Sequence, residues 1–177
     1  SYSSAASDVY KRQVDIHHAG TAMRFLTAFL AQIEDREFVI TGSARMQKRP
    51  IGILVDSLNE LGFEVRYLDK KGFPPLKIIG KKNIKSEIKL NSTVSSQYIS
   101  ALMLIAPSLE NGLKVILEGQ IISKPYINLT LNILKKIGVK CIFKKNIIEI
   151  KNHSKSKISQ NTVESDWSSA SYFYSIV

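Results

Sequence analysis

Four clusters in this 177-residue chain combine hydroxyls, small residues and fixed positive charge at the starts of helical patterns. The first is His18-Ala19-Gly20-Thr21-Ala22-Met23-Arg24. Apolar residues recur from it at i, i+3, i+4 and i+7 as Ala22, Phe25, Leu26 and Phe29, which predicts one face of a helix, with Thr21 as its N-cap. Gly20 has no Cβ, so backbone there can come close to a ligand. A first helical turn leaves N–H groups unpaired and carries partial positive charge, to which Arg24 adds a full charge one turn in. The second cluster is Arg45-Met46-Gln47-Lys48-Arg49, the third Ser95-Ser96-Gln97, and the fourth Ser123-Lys124-Pro125-Tyr126. Hydroxyls at helix starts beside Arg and Lys make hydrogen-bonded sites for anions. Each cluster also has a plain structural reading: N-caps for the serines, a solvated loop for Arg45, Lys48 and Arg49, core packing for Tyr126.

Other chemistries find little support. His17-His18 lacks metal-ligand spacing and His153 lies in a Lys/Ser loop, so no metal is expected. No phosphate-cradling glycine loop, dinucleotide fingerprint or strained nucleophile turn occurs. The single cysteine, Cys141, lies in an apolar strand pattern and reads as a small buried side chain. With no partner for a disulfide it fits a reducing compartment, hence the cytoplasm. Apolar runs are far too short for a membrane span, and no secretory leader pattern opens the chain. The net charge of +10 comes from lysines at Lys70-Lys71, Lys81-Lys82, Lys135-Lys136, Lys144-Lys145 and between Lys151 and Lys157. Aromatics are not interleaved with them as a single-strand binder requires, so this charge reads as solvated surface and no nucleic-acid partner is expected.

The elements that must position the four clusters form a repeat. Residues 1–13 lack periodicity and read as a non-native or disordered tail. Val14-Asp15-Ile16 is a short strand before the first helix, and Glu37 to Thr41 a second. Pro50 is placed in the first turn of a helix with the apolar face Ile51, Leu54, Val55, Leu58 and Leu61, closed by Gly62. Phe63, Val65 and Tyr67 alternate as a strand; Gly72 and Pro74-Pro75 turn the chain; Leu76–Ile79 and Ile84–Leu90 are further strands. The order then recurs after about 75 residues: helix Tyr98–Ala106, strand Lys114–Glu118, a helix from Pro125 carrying Ile127, Leu131, Leu134 and Ile137, Gly138, and strands Val139–Phe143 and Ile147–Ile150. A third start stands at Asp166-Trp167-Ser168-Ser169-Ala170-Ser171-Tyr172. Residues 14–162 therefore read as two repeat units and 163–177 as the truncated start of a third. The expected fold is α/β (α+β), with helices buried between units, sheets outside, and the equivalent turns converging at one rim.

In combination, Ala19-Gly20-Thr21-Ala22-Met23-Arg24, Arg45-Met46…Arg49-Pro50-Ile51-Gly52, Ser95-Ser96-Gln97-Tyr98, Ser123-Lys124-Pro125-Tyr126 and Val163-Glu164-Ser165-Asp166…Ser168-Ser169-Ala170-Ser171-Tyr172 resemble the EPSP synthase (3-phosphoshikimate 1-carboxyvinyltransferase) family. Any one motif is weak; five in order, from about Asp15 onward, are specific. The resemblance implies the inside-out α/β barrel of enolpyruvyl transferases, here incomplete: most of an N-terminal domain built from three such units. It implies transfer of an enolpyruvyl group from phosphoenolpyruvate to the 5-hydroxyl of shikimate 3-phosphate, a step of aromatic amino-acid biosynthesis, without metal or organic cofactor, by a cytoplasmic monomer.

By motif position, Ser95, Ser96 and Ser123 would hold the shikimate phosphate, Gln97 would lie against the ring and reach phosphoenolpyruvate, and Tyr126 would line the shikimate pocket. Gly20 and Arg45 would contact phosphoenolpyruvate, with His18, Thr21, Arg24, Arg49 and Lys124 in support. No residue of this chain is assigned as catalytic. His18 stands where many members have Asn, and the family's Lys-Ser-x-x-x-Arg segment is missing, as are the proton-transfer residues of its second domain; the chain alone is expected to be inactive. Two alternatives stand. One is the sister enzyme acting on UDP-N-acetylglucosamine, whose loop cysteine Cys141 does not match; the other is a basic nucleic-acid-binding repeat module.

Overall fold

The computed structural model describes residues 12–121 and 124–153. Two successive segments share one order of elements, strand–helix–strand–helix–strand–strand. The first comprises β1 (Arg12–Asp15), α1 (Gly20–Ala31), β2 (Glu37–Thr41), α2 (Gly52–Glu60), β3 (Glu64–Tyr67) and β4 (Leu76–Ile79). The second comprises β5 (Glu87–Asn91), α3 (Ser96–Ile105), β6 (Leu113–Glu118), α4 (Lys124–Lys136), β7 (Cys141–Lys144) and β8 (Ile147–Ile150). Each segment builds its own four-stranded sheet, in the orders β1-β2-β4-β3 and β5-β6-β8-β7. The repeat seen in the sequence is thus a repeat of topology.

Strand direction follows from the pairings. β1 is parallel to β2, and β2 and β3 are both antiparallel to β4, so β1, β2 and β3 run the same way. The second sheet repeats this with β5, β6 and β7. The helix after each such strand must return antiparallel to it, so the helices of a unit open at the same sheet edge.

Alternation decides which sheet face is buried. Ile40 pairs with Leu76 and Val65 with Ile78 in the first sheet, and Val115 with Ile148 and Cys141 with Ile150 in the second, all buried. The opposite face is polar, with Glu37–Lys77 at 3.1 Å and Glu87–Lys114 at 2.8 Å. The apolar stripe of α2 is as the spacing predicts: Ile51, Leu54, Val55, Leu58 and Leu61 are all buried, each worth about 1.5–3 kcal/mol. α1 packs along α3, and α3 along α4, so helices lie between the sheets. Gly62 and Gly138 take φ of +102° and +91° where α2 and α4 end, the left-handed turn that glycine adopts without a Cβ penalty.

Several expectations are corrected. β1 begins at Arg12, paired with Phe38, so Arg12 and Gln13 are strand and not tail. α2 opens at Gly52, after Pro50 rather than on it, and α3 opens at Ser96, ahead of Tyr98. β5 starts at Glu87; Ile84 is 80 % exposed, and its N–H is spent on Leu61 O (2.8 Å), which closes the turn after α2. The largest difference concerns α1. Its buried residues are Gly20, Met23, Arg24, Thr27, Ala28, Leu30 and Ala31, whereas Phe29 is half exposed and Phe25 and Leu26 are only partly buried. α1 meets α2, α3, β2 and β4, so it is enclosed on more than one side and small residues serve where neighbours come close.

Candidate functional site

The site is assembled from the leading corners of the two units. Ala19, not Thr21, is the N-cap of α1, and it provides no side-chain cap. Thr21 is instead exposed within the first turn, and its hydroxyl accepts a hydrogen bond from Gln97 Nε2 at 3.2 Å, 76 residues along the chain. Ser95 is the N-cap of α3, and its hydroxyl makes no capping bond either. Ser96 lies inside α3, so neither Ser95 nor Ser96 is explained by a capping hydrogen bond. Gln97 sits in the first turn of α3, so the Thr21–Gln97 bond sets the starts of α1 and α3 side by side.

Gly20 is buried under arginine. A Cβ built on it would fall 2.7 Å from the guanidinium carbon of Arg49 and 3.1 Å from Nη1 of Arg24. Only a residue without a side chain admits that approach. Arg24 Nη1 donates to Gly20 O at 2.8 Å, and its guanidinium lies over the Tyr98 ring, 5.5 Å from the centroid, a cation–π distance. Tyr98 in turn donates its hydroxyl hydrogen to Pro50 O at 2.7 Å. Tyr98, on α3, thereby fixes Arg24 and the residue that follows Arg49, both of the first unit.

The cationic loop after β2 is pinned to the same corner. Ser43 N–H donates to His17 O (3.0 Å), Ser43 Oγ and His18 Nδ1 share a hydrogen bond (2.8 Å), and Gln47 Nε2 donates to Gly42 O (3.0 Å). Met46 is buried and anchors a short 3-10 turn, Met46–Lys48. Arg45 and Arg49 are exposed on either side of that anchor. With His18 and Met46 they line a cleft of about 460 Å³. Among the described residues no carboxylate forms an ion pair with Arg24, Arg45 or Arg49. Among the described residues the charged groups lining this cleft are arginines, whereas a second cleft beyond the C-terminal ends of α1 and α3 mixes Glu34 and Glu110 with Lys81 and Lys82.

The fourth cluster divides. Ser123 lies outside the described residues, as do Asp166 and the rest of the motif at Val163–Tyr172. Lys124 opens α4, and Tyr126 is 62 % exposed, which removes core packing as its role. A buried Ser100–Thr130 hydrogen bond of 2.8 Å joins α3 to α4, and Thr130 also donates to Tyr126 O. Ser96 and Tyr126 each lie one turn before these two residues, so α4 begins at the same rim as α3.

Comparison with known proteins decides the family. The family model "EPSP synthase (3-phosphoshikimate 1-carboxyvinyltransferase)" matches residues 2–177. The chain belongs to the EPSP synthase family. It is similar to the 3-phosphoshikimate 1-carboxyvinyltransferase of Bacteroides fragilis, 50 % identical over 163 residues, covering 92 % of this chain and 40 % of that protein. The corresponding protein of Colwellia psychrerythraea is 42 % identical over 159 residues, covering 88 % and 37 %. Among solved structures, EPSP synthase from Acinetobacter baumannii superposes with a TM-score of 0.76 at 25 % identity, over 92 % of this chain and 36 % of that one. The chain thus spans about two fifths of the length of the curated relatives it matches. The incomplete α/β fold of the enolpyruvyl transferases is the fold described above.

Within that family setting, sequence reasoning passed over Ser43, which holds His18, and gave no role to Tyr98, which stands in the third motif and joins the units. Both interactions are tertiary, and no local pattern marks them. Cys141 is buried as expected, its thiol 3.7 Å from Leu131 O, and burial pushes its pKa up.

Proposed function

We propose that the complete protein transfers the enolpyruvyl group of phosphoenolpyruvate to the 5-hydroxyl of shikimate 3-phosphate, and that this chain provides one wall of the site. The 5-hydroxyl oxygen attacks the central carbon of phosphoenolpyruvate to give a tetrahedral intermediate, which expels phosphate and leaves an enolpyruvyl ether. Both substrates are anions, so the wall has to supply oriented donors and fixed cations rather than a nucleophile. In this reading Gly20 and Arg45 meet phosphoenolpyruvate, Ser95, Ser96 and Ser123 the shikimate phosphate, Tyr126 the shikimate pocket, and Gln97 lies between the two. His18, Thr21, Arg24, Arg49 and Lys124 support them.

The observation that carries the reading is the hydrogen bond from Gln97 to Thr21. It joins the corner with Gly20 and Arg49 to the corner with Ser95 and Ser96, so two anionic substrates bound at those corners would be neighbours. The test is calorimetric titration of the complete gene product with each substrate. Ser96→Ala is expected to weaken shikimate 3-phosphate by about tenfold or more, the loss of one hydrogen bond to a charged group, and Arg45→Gln to weaken phosphoenolpyruvate similarly. Unchanged affinities in both variants would refute the assignment. The 177-residue chain by itself is expected not to turn over; a steady release of phosphate from phosphoenolpyruvate by that chain would contradict this.

A further inference from the structure

Tyr98 stands one residue past Gln97 on α3 and is assigned no substrate contact, yet it reaches both sides of the Gly20 corner. It is buried. Its ring lies under the Arg24 guanidinium, which grips Gly20 O, and its hydroxyl donates to Pro50 O at 2.7 Å. The segment that this hydroxyl holds is stiff. Proline fixes its own φ and drives the residue before it to extended backbone; Arg49 accordingly has φ −91° and ψ 127°. Arg49 and Pro50 therefore move as one piece, and the place of Arg49 depends on where that piece is tied. One tie lies within the loop, Arg49 N–H to Met46 O at 2.9 Å. The others use both groups of the Pro50–Ile51 peptide: Ile51 N–H donates to Gly72 O at 2.9 Å, and Pro50 O accepts from Tyr98. Of these ties, the one to Tyr98 comes from the second unit. Arg49 in turn lies against Gly20, its guanidinium carbon 2.7 Å from where a Cβ would stand. A shift of the piece therefore shifts a cation over the first peptide of α1.

We propose that Tyr98 is a positioning residue for phosphoenolpyruvate: through Pro50 O its hydroxyl sets the Arg49 guanidinium against Gly20, so a side chain of the second unit tunes anion affinity at a corner of the first. This rests on the assignment of Gly20 and Arg45 to phosphoenolpyruvate. Gln97 binds Thr21 on α1, and Tyr98 binds Pro50 just ahead of α2. Consecutive residues of α3 thus hold the two elements that meet at Gly20. The ring fills space beneath Arg24; the hydroxyl carries the positioning.

The test is steady-state kinetics on the complete gene product, well below the unfolding midpoint of each variant. Tyr98→Phe, Arg49→Gln, the double variant and Arg45→Gln are compared with the parent. Tyr98→Phe removes a single oxygen and keeps the ring; it is expected to raise KM for phosphoenolpyruvate about threefold to tenfold, the loss of one neutral hydrogen bond, while KM for shikimate 3-phosphate stays within about twofold. In the Arg49→Gln background the same change is expected to raise KM for phosphoenolpyruvate by less than about twofold, because its effect runs through Arg49. A merely structural tyrosine behaves otherwise: its loss lowers the folded fraction, hence the apparent kcat, and leaves both KM values at the parent's level. That result overturns the proposal. An equal rise for both substrates, or an equal rise with and without Arg49, also overturns it. Arg45→Gln separates the two claims. If it raises KM for phosphoenolpyruvate and Tyr98→Phe does not, the assignment stands and the proposal falls. If neither variant raises it, the assignment falls and takes the proposal with it.

Discussion

Gly20→Ala separates stability from binding at this corner. The added Cβ would lie 2.7 Å from Arg49 Cζ, about 1 Å inside an ordinary carbon–carbon contact. Arg49 is exposed, so its guanidinium can swing outward, for about 0.5–1.5 kcal/mol of rotamer cost. Alanine gains roughly 0.5–1 kcal/mol over glycine in a helix. The two effects nearly cancel, and net stability is expected to stay within about 1 kcal/mol of the parent. Binding has no such compensation. The methyl occupies the surface on which an anion would reach the first N–H groups of α1, and it overlaps Arg49 Nη1, the nearest atom, so that the guanidinium must move by more than about an ångström. Losing one charge-assisted hydrogen bond, about 1.5–3 kcal/mol, weakens phosphoenolpyruvate by roughly tenfold to a hundredfold. Shikimate 3-phosphate, assigned to the α3 side, should change by less than about threefold. Calorimetric titration of the complete gene product with each substrate, alongside thermal unfolding, reads all three quantities. A variant that binds phosphoenolpyruvate like the parent would refute the placement of the anion at Gly20. One that melts far lower would show that Arg49 is locked rather than free to move.

Three further outcomes follow from the geometry. Tyr98→Phe keeps the ring beneath Arg24 but leaves Pro50 O without its donor; it should lower stability by about 0.5–1.5 kcal/mol in denaturant unfolding, and an unchanged midpoint would show the bond to be replaceable. The Lys81 ammonium hydrogen-bonded to Glu64, with Arg66 beside it, holds the Glu64 carboxyl below its ordinary value; because the folded state binds the proton less tightly than the unfolded one, this contribution is full above about pH 4.5 and is lost as pH falls through the lowered folded value. Glu64→Gln should therefore flatten the acid limb of a stability–pH curve, and a limb identical to the parent's would count against the ion pair. Cys141, buried with its pKa raised, should react with a thiol reagent at pH 8 only as fast as the protein unfolds; prompt labelling of the native protein would show its strand to be open.

What the sequence made legible was whatever is written locally and written twice. The turn glycines Gly62 and Gly138, the stripe from Ile51 to Leu61 and the limits of β4 at Leu76 and Ile79 all follow from short-range pattern. The same pattern misled at α1. A helix enclosed by α2, α3 and two strands buries more than one face, so the large residues Phe25, Leu26 and Phe29 do not mark its most buried side. The candidate residues were recognisable by type, but their arrangement was not. That Arg49 lies on Gly20, and that Tyr98 reaches Pro50 across 48 positions, depends on how α1 meets α3. No local signal encodes that meeting.

The duplicated topology explains why helix N-termini gather at this edge and not at the other. Because β1 and β2, like β5 and β6, run the same way, the helices that follow them open at one rim, where unpaired N–H groups and partial positive charge add. Their C-terminal ends gather at the opposite rim, where the second cleft carries both Glu and Lys. A unit alone offers one such corner with nothing to hold it. Packing α1 along α3 supplies a rigid apolar base, and the polar bonds at the rim, Gln97 to Thr21 and Tyr98 to Pro50, then fix the corners against each other. A ligand spanning both corners has little left to order when it binds, which is the circumstance in which hydrogen bonds to charged groups contribute most to affinity. The residues of the rim can change chemistry without disturbing the apolar base, since Ser95, Arg45 and Arg49 are exposed while Leu54, Leu58 and Leu102 are fully buried.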